Sequence, residues 1–174
     1  KHDVMLFSDG GKAVRFDEDD VRAMGRAARG VKGMQLEDGQ SVIAMLVAED
    51  ETQSVLTATE NGYGKRTSIV EYTRHGRGTK GMIAIQQSER NGKVVAATLV
   101  RADDEIMLIT DTGVLVRTRV SEIRELGRAT QGVTLIALDA GAKLIGLQRI
   151  VENDANVDSA GEPNGDEPST GEDS

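Results

Sequence analysis

The chain has 174 residues, no Cys, two His and a formal net charge of -8, a length that suits one domain with its own core. The absence of cysteine excludes disulfides, zinc-thiolate sites and thiol nucleophiles, and His2 and His75 alone make a histidine-built metal site or triad a poor expectation. No apolar run approaches the roughly 20 residues of a membrane span, and no signal peptide is visible. The composition fits a reducing cytoplasm, and a start at Lys1 rather than Met reads as a fragment.

In chain order, Met5-Leu6-Phe7 reads as a short strand, Asp9-Gly10-Gly11 as a hairpin turn and Ala13 to Phe16 as the returning strand. Asp19 to Met24 could make a helical turn or two. The glycine-rich loop Gly30-Val31-Lys32-Gly33-Met34 follows, then the strand Val42 to Val47. The pattern then recurs. Val55-Leu56 leads into the turn Glu60-Asn61-Gly62, the loop Gly78-Thr79-Lys80-Gly81-Met82 and the strand Val94 to Val100. Met107-Leu108-Ile109 leads into Asp111-Thr112-Gly113, a short helical stretch at Ser121 to Leu126, the loop Gly132-Val133-Thr134-Leu135-Ile136 and the strand Leu144 to Val151.

These are three copies of one unit. Gly11, Gly62 and Gly113 coincide at a spacing of 51, as do Arg15, Arg66 and Arg117. Aligned on their first glycines, Gly30, Gly78 and Gly132, the loops make the middle copy three residues shorter between its two blocks. Each copy holds about four strands in a length typical of propeller blades. The expected fold is all-β, with three propeller-like blades over residues 1–151, a β-solenoid or plain sandwich being the alternative.

Two decoys fall away. Gly76-Arg77-Gly78-Thr79-Lys80-Gly81 fits a dinucleotide fingerprint, but lacks the strand before it and the helix after it that such a site requires. Gly64-Lys65-Arg66-Thr67 lacks the spacing of a phosphate-binding P-loop. The acidic clusters at Asp17-Glu18-Asp19-Asp20 and Asp103-Asp104-Glu105 read as solvated turns, and His75 as a loop residue. No nucleophile and base stand in a convincing pattern, so no catalytic and no metal-binding residue is assigned.

The loops carry the stronger signal. The first holds Arg26, Arg29 and Lys32, and the second Arg74, Arg77 and Lys80. The third keeps Arg128, with Gln131 and Thr134 where the others have bases. Equivalent loops of a blade fold share one rim, so these seven cations are expected to form a discontinuous positive track that follows a duplex backbone. With only four aromatics, stacking on single-stranded bases is poorly supported.

Asn61-Gly62-Tyr63-Gly64-Lys65-Arg66-Thr67, Leu115-Val116-Arg117-Thr118-Arg119-Val120-Ser121-Glu122-Ile123 and Gly127-Arg128-Ala129-Thr130-Gln131-Gly132-Val133 resemble the C-terminal domain of bacterial DNA gyrase A, as does Val21-Arg22-Ala23-Met24-Gly25. The resemblance covers the whole body. It implies a β-pinwheel, a propeller-like ring whose blades exchange strands, wrapping duplex DNA around its rim. On that basis the chain is not an enzyme alone but part of an ATP-dependent type II topoisomerase. Its partners would be duplex DNA, the rest of gyrase A and gyrase B, with no membrane. No cofactor is expected here, ATP and Mg belonging to other domains of the holoenzyme. The expected location is the bacterial cytoplasm, with the nucleoid. The family's usual six blades and its Q-R-R-G-G-K-G box are not in this sequence, which therefore reads as the C-terminal half of the domain. A propeller-type protein-interaction scaffold is the competing function.

The charge is uneven. Residues 152–174 hold eight acids and no Lys or Arg, leaving 21 acids against 21 bases in the body. That stretch is almost devoid of apolar residues after Val157 and is expected to be a disordered acidic tail. A flexible segment of its length reaches about 25 Å, enough to compete with phosphates for the rim within a Debye length of about 8 Å. Truncation after Val151 is expected to raise DNA affinity several-fold at low salt, the gain shrinking as salt increases. Unchanged affinity in low-salt mobility shifts would leave the tail as a solubility segment.

Overall fold

The computed structural model describes residues 2–19, 36–74 and 81–150. Most of the expected helical stretch at Asp19 to Met24, the first glycine loop and the acidic tail lie outside them. The described chain forms antiparallel sheets, and the only α-helical residues among those described are Glu18 and Asp19. The first repeat gives β1 (Asp3–Ser8), β2 (Lys12–Asp17) and β3 (Val42–Ala48). The second gives β4 (Ser54–Thr59), β5 (Tyr63–Ser68), β6 (Met82–Ile83) and β7 (Val94–Val100). The third gives β8 (Glu105–Thr110), β9 (Leu115–Arg119), β10 (Val133–Thr134) and β11 (Leu144–Ile150). Single 3-10 turns follow β5 at Ile69–Glu71 and β9 at Val120–Glu122. The second accounts for the helical signal after Ser121, while the first carries no such signal.

Each repeat opens on the same hairpin. Gly11, Gly62 and Gly113 have φ of 84°, 89° and 88°, and their N–H groups donate to the carbonyls of Ser8, Thr59 and Thr110 at 3.2, 3.0 and 3.1 Å. Only glycine takes this left-handed geometry freely. The sheets, however, do not follow repeat boundaries. Their strand orders are β3-β1-β2-β6, β10-β5-β4-β7 and β11-β8-β9. The short strand of the second repeat completes the first sheet, and that of the third completes the second. This is the strand exchange that the resemblance implied.

The exchange corrects the loop alignment. Gly81 and Gly132, with φ of 92° and 84°, each sit against a carbonyl of the preceding repeat, Ala13 O and Gly64 O. They are equivalent, at the common spacing of 51. The middle copy is therefore not short relative to the third. Arg128 corresponds to Arg77 rather than Arg74, Gln131 to Lys80, and Glu125 to Arg74.

Stacking of the sheets makes the core. Met5, Phe7, Ala13, Val55, Ile69 and Tyr72 pack between the first and second sheets, with Phe7 and Tyr72 edge to face at 6.0 Å. Leu56, Ala58, Val100, Ile106, Leu108 and Val120 pack between the second and third. Alternate side chains of β4 enter opposite cores, so all six of its residues are buried, whereas β8 buries every second residue. β7 packs against both β3 and β11 and joins the repeats along a third line.

Among the described residues the third sheet has an open edge. Among the described residues β9 pairs only with β8, and Leu115 is 60 % exposed where Ala13 and Gly64 are buried. A Cβ at Gly11 or Gly62 would come within 2.6 or 2.5 Å of the Ile85 or Ile136 carbonyl oxygen, and one at Gly113 would meet nothing within 4 Å. Gly113→Ala is therefore expected to cost only the left-handed backbone penalty, about 1–2 kcal/mol. Gly62→Ala adds a backbone collision and should cost clearly more. Urea unfolding of the two variants checks the ranking, and equal losses would contradict this account of the seam.

Candidate nucleic-acid interface

Of the seven loop cations expected to meet DNA, Arg26, Arg29, Lys32, Arg77 and Lys80 lie outside the described residues. Arg74 and Arg128 lie within them, and both tie one part of the protein to another. The Arg74 side chain is 58 % exposed and pairs with Asp3 on β1, Nη2 to Oδ1 at 2.8 Å and Nε to Oδ2 at 3.2 Å. Arg128 is half-buried. Its Nε donates to the Glu71 carbonyl and its Nη1 to the Ile83 carbonyl, each at 2.8 Å. It thus straps the third loop to the 3-10 turn and short strand of the second repeat.

The arginines that recur behind the hairpin glycines form a second set of ties, whose repetition is visible in the sequence without its purpose. Arg15 is 7 % exposed. Its Nε contacts Asp3 at 2.7 Å, its Nη2 contacts Glu51 at 2.6 Å, and its Nη1 donates to the Ile69 and Tyr72 carbonyls at 3.1 and 3.0 Å. Arg66 makes the corresponding reach, Nε to the Ile123 carbonyl at 2.9 Å. In both seams an arginine of one repeat closes on the 3-10 turn region of the next. Arg117 turns instead to Glu105 in its own hairpin, at 2.7 Å, with its side chain 54 % exposed.

Lys65, which the sequence marks only as part of a failed P-loop, organises the third loop. Fully buried on β5, its Nζ donates to the carbonyls of Gly127 at 2.6 Å, Arg128, and Thr130 at 3.0 Å, and to the Thr130 hydroxyl at 3.1 Å. Burial pushes the amine down to about 8, the Glu71 carboxylate pulling it up and Arg128 pushing it down. The equivalent positions hold Val14 and Val116, so no repeat comparison marks it. Arg90 lies over the Tyr63 ring at 4.2 Å and donates to the Gly132 carbonyl at 3.1 Å. Lys12, Lys93 and Arg124 make no side-chain hydrogen bond or ion pair with another described residue, and Lys93 and Arg124 are exposed.

No group of His, Cys, Asp or Glu among the described residues could hold a metal ion. No helix of the described residues is long and apolar enough to cross a membrane.

Burial works to raise the Asp3 pKa, but hydrogen bonds and charge from Arg74 and Arg15 outweigh it and hold the carboxyl below its usual value. A folded pKa below the unfolded one gives stability that is present above about pH 4 and lost as pH falls through the folded value. Asp3→Asn should flatten that acid limb. Arg15→Met leaves Asp3 to the more exposed Arg74, and the Ile69 carbonyl to its bond from Tyr72 N, but strands the Tyr72 carbonyl; it should cost about 1–3 kcal/mol, against less than about 1 kcal/mol for the exposed Arg117→Met. Thermal melts at pH 3 to 7 read both effects, and equal costs for the two arginines would rule out the seam role.

Three stretches, residues 2–49, 53–101 and 104–150, match the family described as DNA gyrase C-terminal domain, beta-propeller, one stretch for each repeat. The chain is 54% identical over 150 residues to DNA gyrase A of Pseudomonas aeruginosa, covering 86% of this chain and 16% of that protein. It is 53% identical over 150 residues to DNA gyrase A of Escherichia coli strain K12, covering 86% and 17%. It thus spans about a sixth of the length of these relatives. The fold is similar to the C-terminal domain of DNA topoisomerase IV, with a TM-score of 0.79 at 20% identity over 92% of this chain and 52% of that one. A DNA gyrase A C-terminal domain gives 0.57 at 20% identity, over 86% and 66%. With its three repeats each matched and its strands exchanged between blades, this chain belongs to the DNA gyrase C-terminal domain family.

Proposed function

We propose that the chain is a non-catalytic module of DNA gyrase A that binds and wraps duplex DNA, supporting ATP-dependent negative supercoiling by the holoenzyme. The 54% identity to a gyrase A protein over 150 residues carries this reading. In it, the remainder of gyrase A and gyrase B are the protein partners, and ATP and Mg act through other parts of the assembly. The protein works in the cytoplasm, at the nucleoid.

The site residues of this proposal are Arg26, Arg29, Lys32, Arg77 and Lys80, together with Arg74 and Arg128 where their anchored guanidinium groups leave donors free. Arg124 joins them as an exposed cation beside the third loop. A protein-interaction scaffold is the second reading, favoured by the balance of 21 acids and 21 bases in the body.

If about four cations each neutralise a phosphate, log K should fall with log[salt] at a slope of about -3.6, with little dependence on sequence. Reversing Arg29, Lys32, Arg77 and Lys80 to Glu should weaken binding far more than reversing Lys93. Mobility shifts over a salt series measure both, and a flat salt response or a strong preference for one sequence would refute rim binding. The isolated chain is expected neither to hydrolyse ATP nor to cleave or supercoil DNA.

A further inference from the structure

The third loop has an unusual polarity. Its carbonyls at Gly127, Arg128 and Thr130 all converge on the Lys65 ammonium. The next two are also taken from the protein side. The Gln131 carbonyl accepts from Asn91 at 2.7 Å and the Gly132 carbonyl from Arg90 at 3.1 Å. No peptide bond in the described chain is cis. In a trans peptide the N–H of the following residue points opposite to the carbonyl. The amides of Arg128, Ala129, Gln131 and Gly132 are therefore turned away from the protein.

One of these outward amides already holds an anion. The Arg128 N–H donates to Glu71 Oε1 at 3.2 Å. The amides of Ala129, Gln131 and Gly132 have no partner among the described residues, and Ala129 and Gln131 are exposed. Successive backbone N–H groups facing one way form a concavity that suits an anionic oxygen. In sequence Arg124 and Glu125 precede it, and the Arg128 guanidinium, within it, donates to the Glu71 and Ile83 carbonyls.

We propose that residues 127–132 form a backbone-amide cradle for a phosphodiester oxygen of duplex DNA, donated by Ala129, Gln131 and Gly132, with Lys65 as the positioning residue that turns the loop's carbonyls inward. This rests on the DNA-binding reading above and adds contacts that no charged side chain makes. Its ligand oxygen is that of a nucleic-acid backbone, whose contacts position a protein without reading sequence. At neutral pH the Lys65 amine, lowered by burial to about 8, keeps its third N–H and so can serve all three carbonyls.

Neutral donors have a signature that cations lack. An amide releases no counterion, so loosening the cradle should lower affinity without changing the salt slope, whereas losing a phosphate-bound cation changes the slope by about 0.9. Thr130→Val loosens the loop at its surface, since the Thr130 hydroxyl donates to the Gly127 carbonyl at 2.9 Å and accepts from Lys65. This variant should bind duplex about three- to tenfold more weakly, the range for one or two neutral hydrogen bonds, with its slope unchanged and its melting temperature lowered only by the loss of the hydroxyl's own bonds. Lys65→Met should lose more affinity, and if it does not fold, Thr130→Val carries the test.

Backbone amide NMR reads the contact directly. Titrating a short blunt-ended duplex should move the Ala129, Gln131 and Gly132 resonances saturably, while sodium phosphate alone moves them only weakly. Amides that stay still while the protein binds duplex would overturn the cradle and leave rim binding intact. An unchanged Thr130→Val affinity, or a loss that comes with an altered slope, would also overturn it. If the protein does not bind duplex at all, the cradle falls together with the reading it rests on.

Discussion

A short strand can join the sheet of the repeat before it only where two backbones touch, and glycine makes that contact from both sides here. Across the second seam a Cβ on Gly64 would lie 2.5 Å from Leu135 Cδ1, and one on Gly132 would lie 2.5 Å from the Gly64 oxygen. At the first seam a Cβ on Gly81 would lie 2.6 Å from the Ala13 oxygen. The space this leaves is used by hydrogen bonds, from Ala84 N to Gly11 O and from Leu135 N to Gly62 O, both 2.8 Å. The same contact covers the outer edges of β2 and β5, which would otherwise stand as open templates for pairing. Two-residue strands have too little side-chain surface to hold themselves, so each depends on the loop around it.

That dependence explains where the polar ties lie. Lys65 and Arg128 hold the third loop to the second repeat, and Arg15 and Arg66 reach across to the carbonyls around the 3-10 turns. A buried charged tie adds little net stability over an apolar replacement, but breaking one partner is costly. Such ties fix the angle between sheets more than they strengthen the stack. The apolar cores supply the cohesion, and β4, buried on both faces, shows how each blade needs its neighbours to finish its burial.

The repeats, the all-β character and the hairpin turns are legible in the sequence because each is local. A glycine at the fourth position of a turn, or four alternating apolar residues, carries its meaning within one segment. Strand exchange is not local. Met82–Ile83 and Val133–Thr134 are too short for a periodic signal, and nothing in their composition says that their partner lies in the preceding repeat. The loop alignment fails for the same reason. Lys80-Gly81 and Arg77-Gly78 both look like the first loop, and only the carbonyl that Gly81 meets decides between them. Lys65 is invisible as a structural residue because a lysine in a strand normally reads as surface.

The seam also changes what recurrence means in such a chain. A cation repeated at the same position of every unit reads, in sequence, as a sign of a shared ligand. Yet Arg15 and Arg66 recur because every seam needs a donor for the next repeat's carbonyls, and Arg117, with no described repeat beyond it, turns to the surface. Arg128 belongs with them, its guanidinium committed to Glu71 and Ile83. Arg124, exposed beside the third loop with no side-chain hydrogen bond or ion pair to another described residue, stands where the second repeat has Thr73. A duplex backbone asks for positive charge and close approach along a rim, not for one residue type at one register. Under the proposed function, the seam arginines Arg15 and Arg66 set the spacing of the loops, and the cations that the loops themselves carry meet the phosphates.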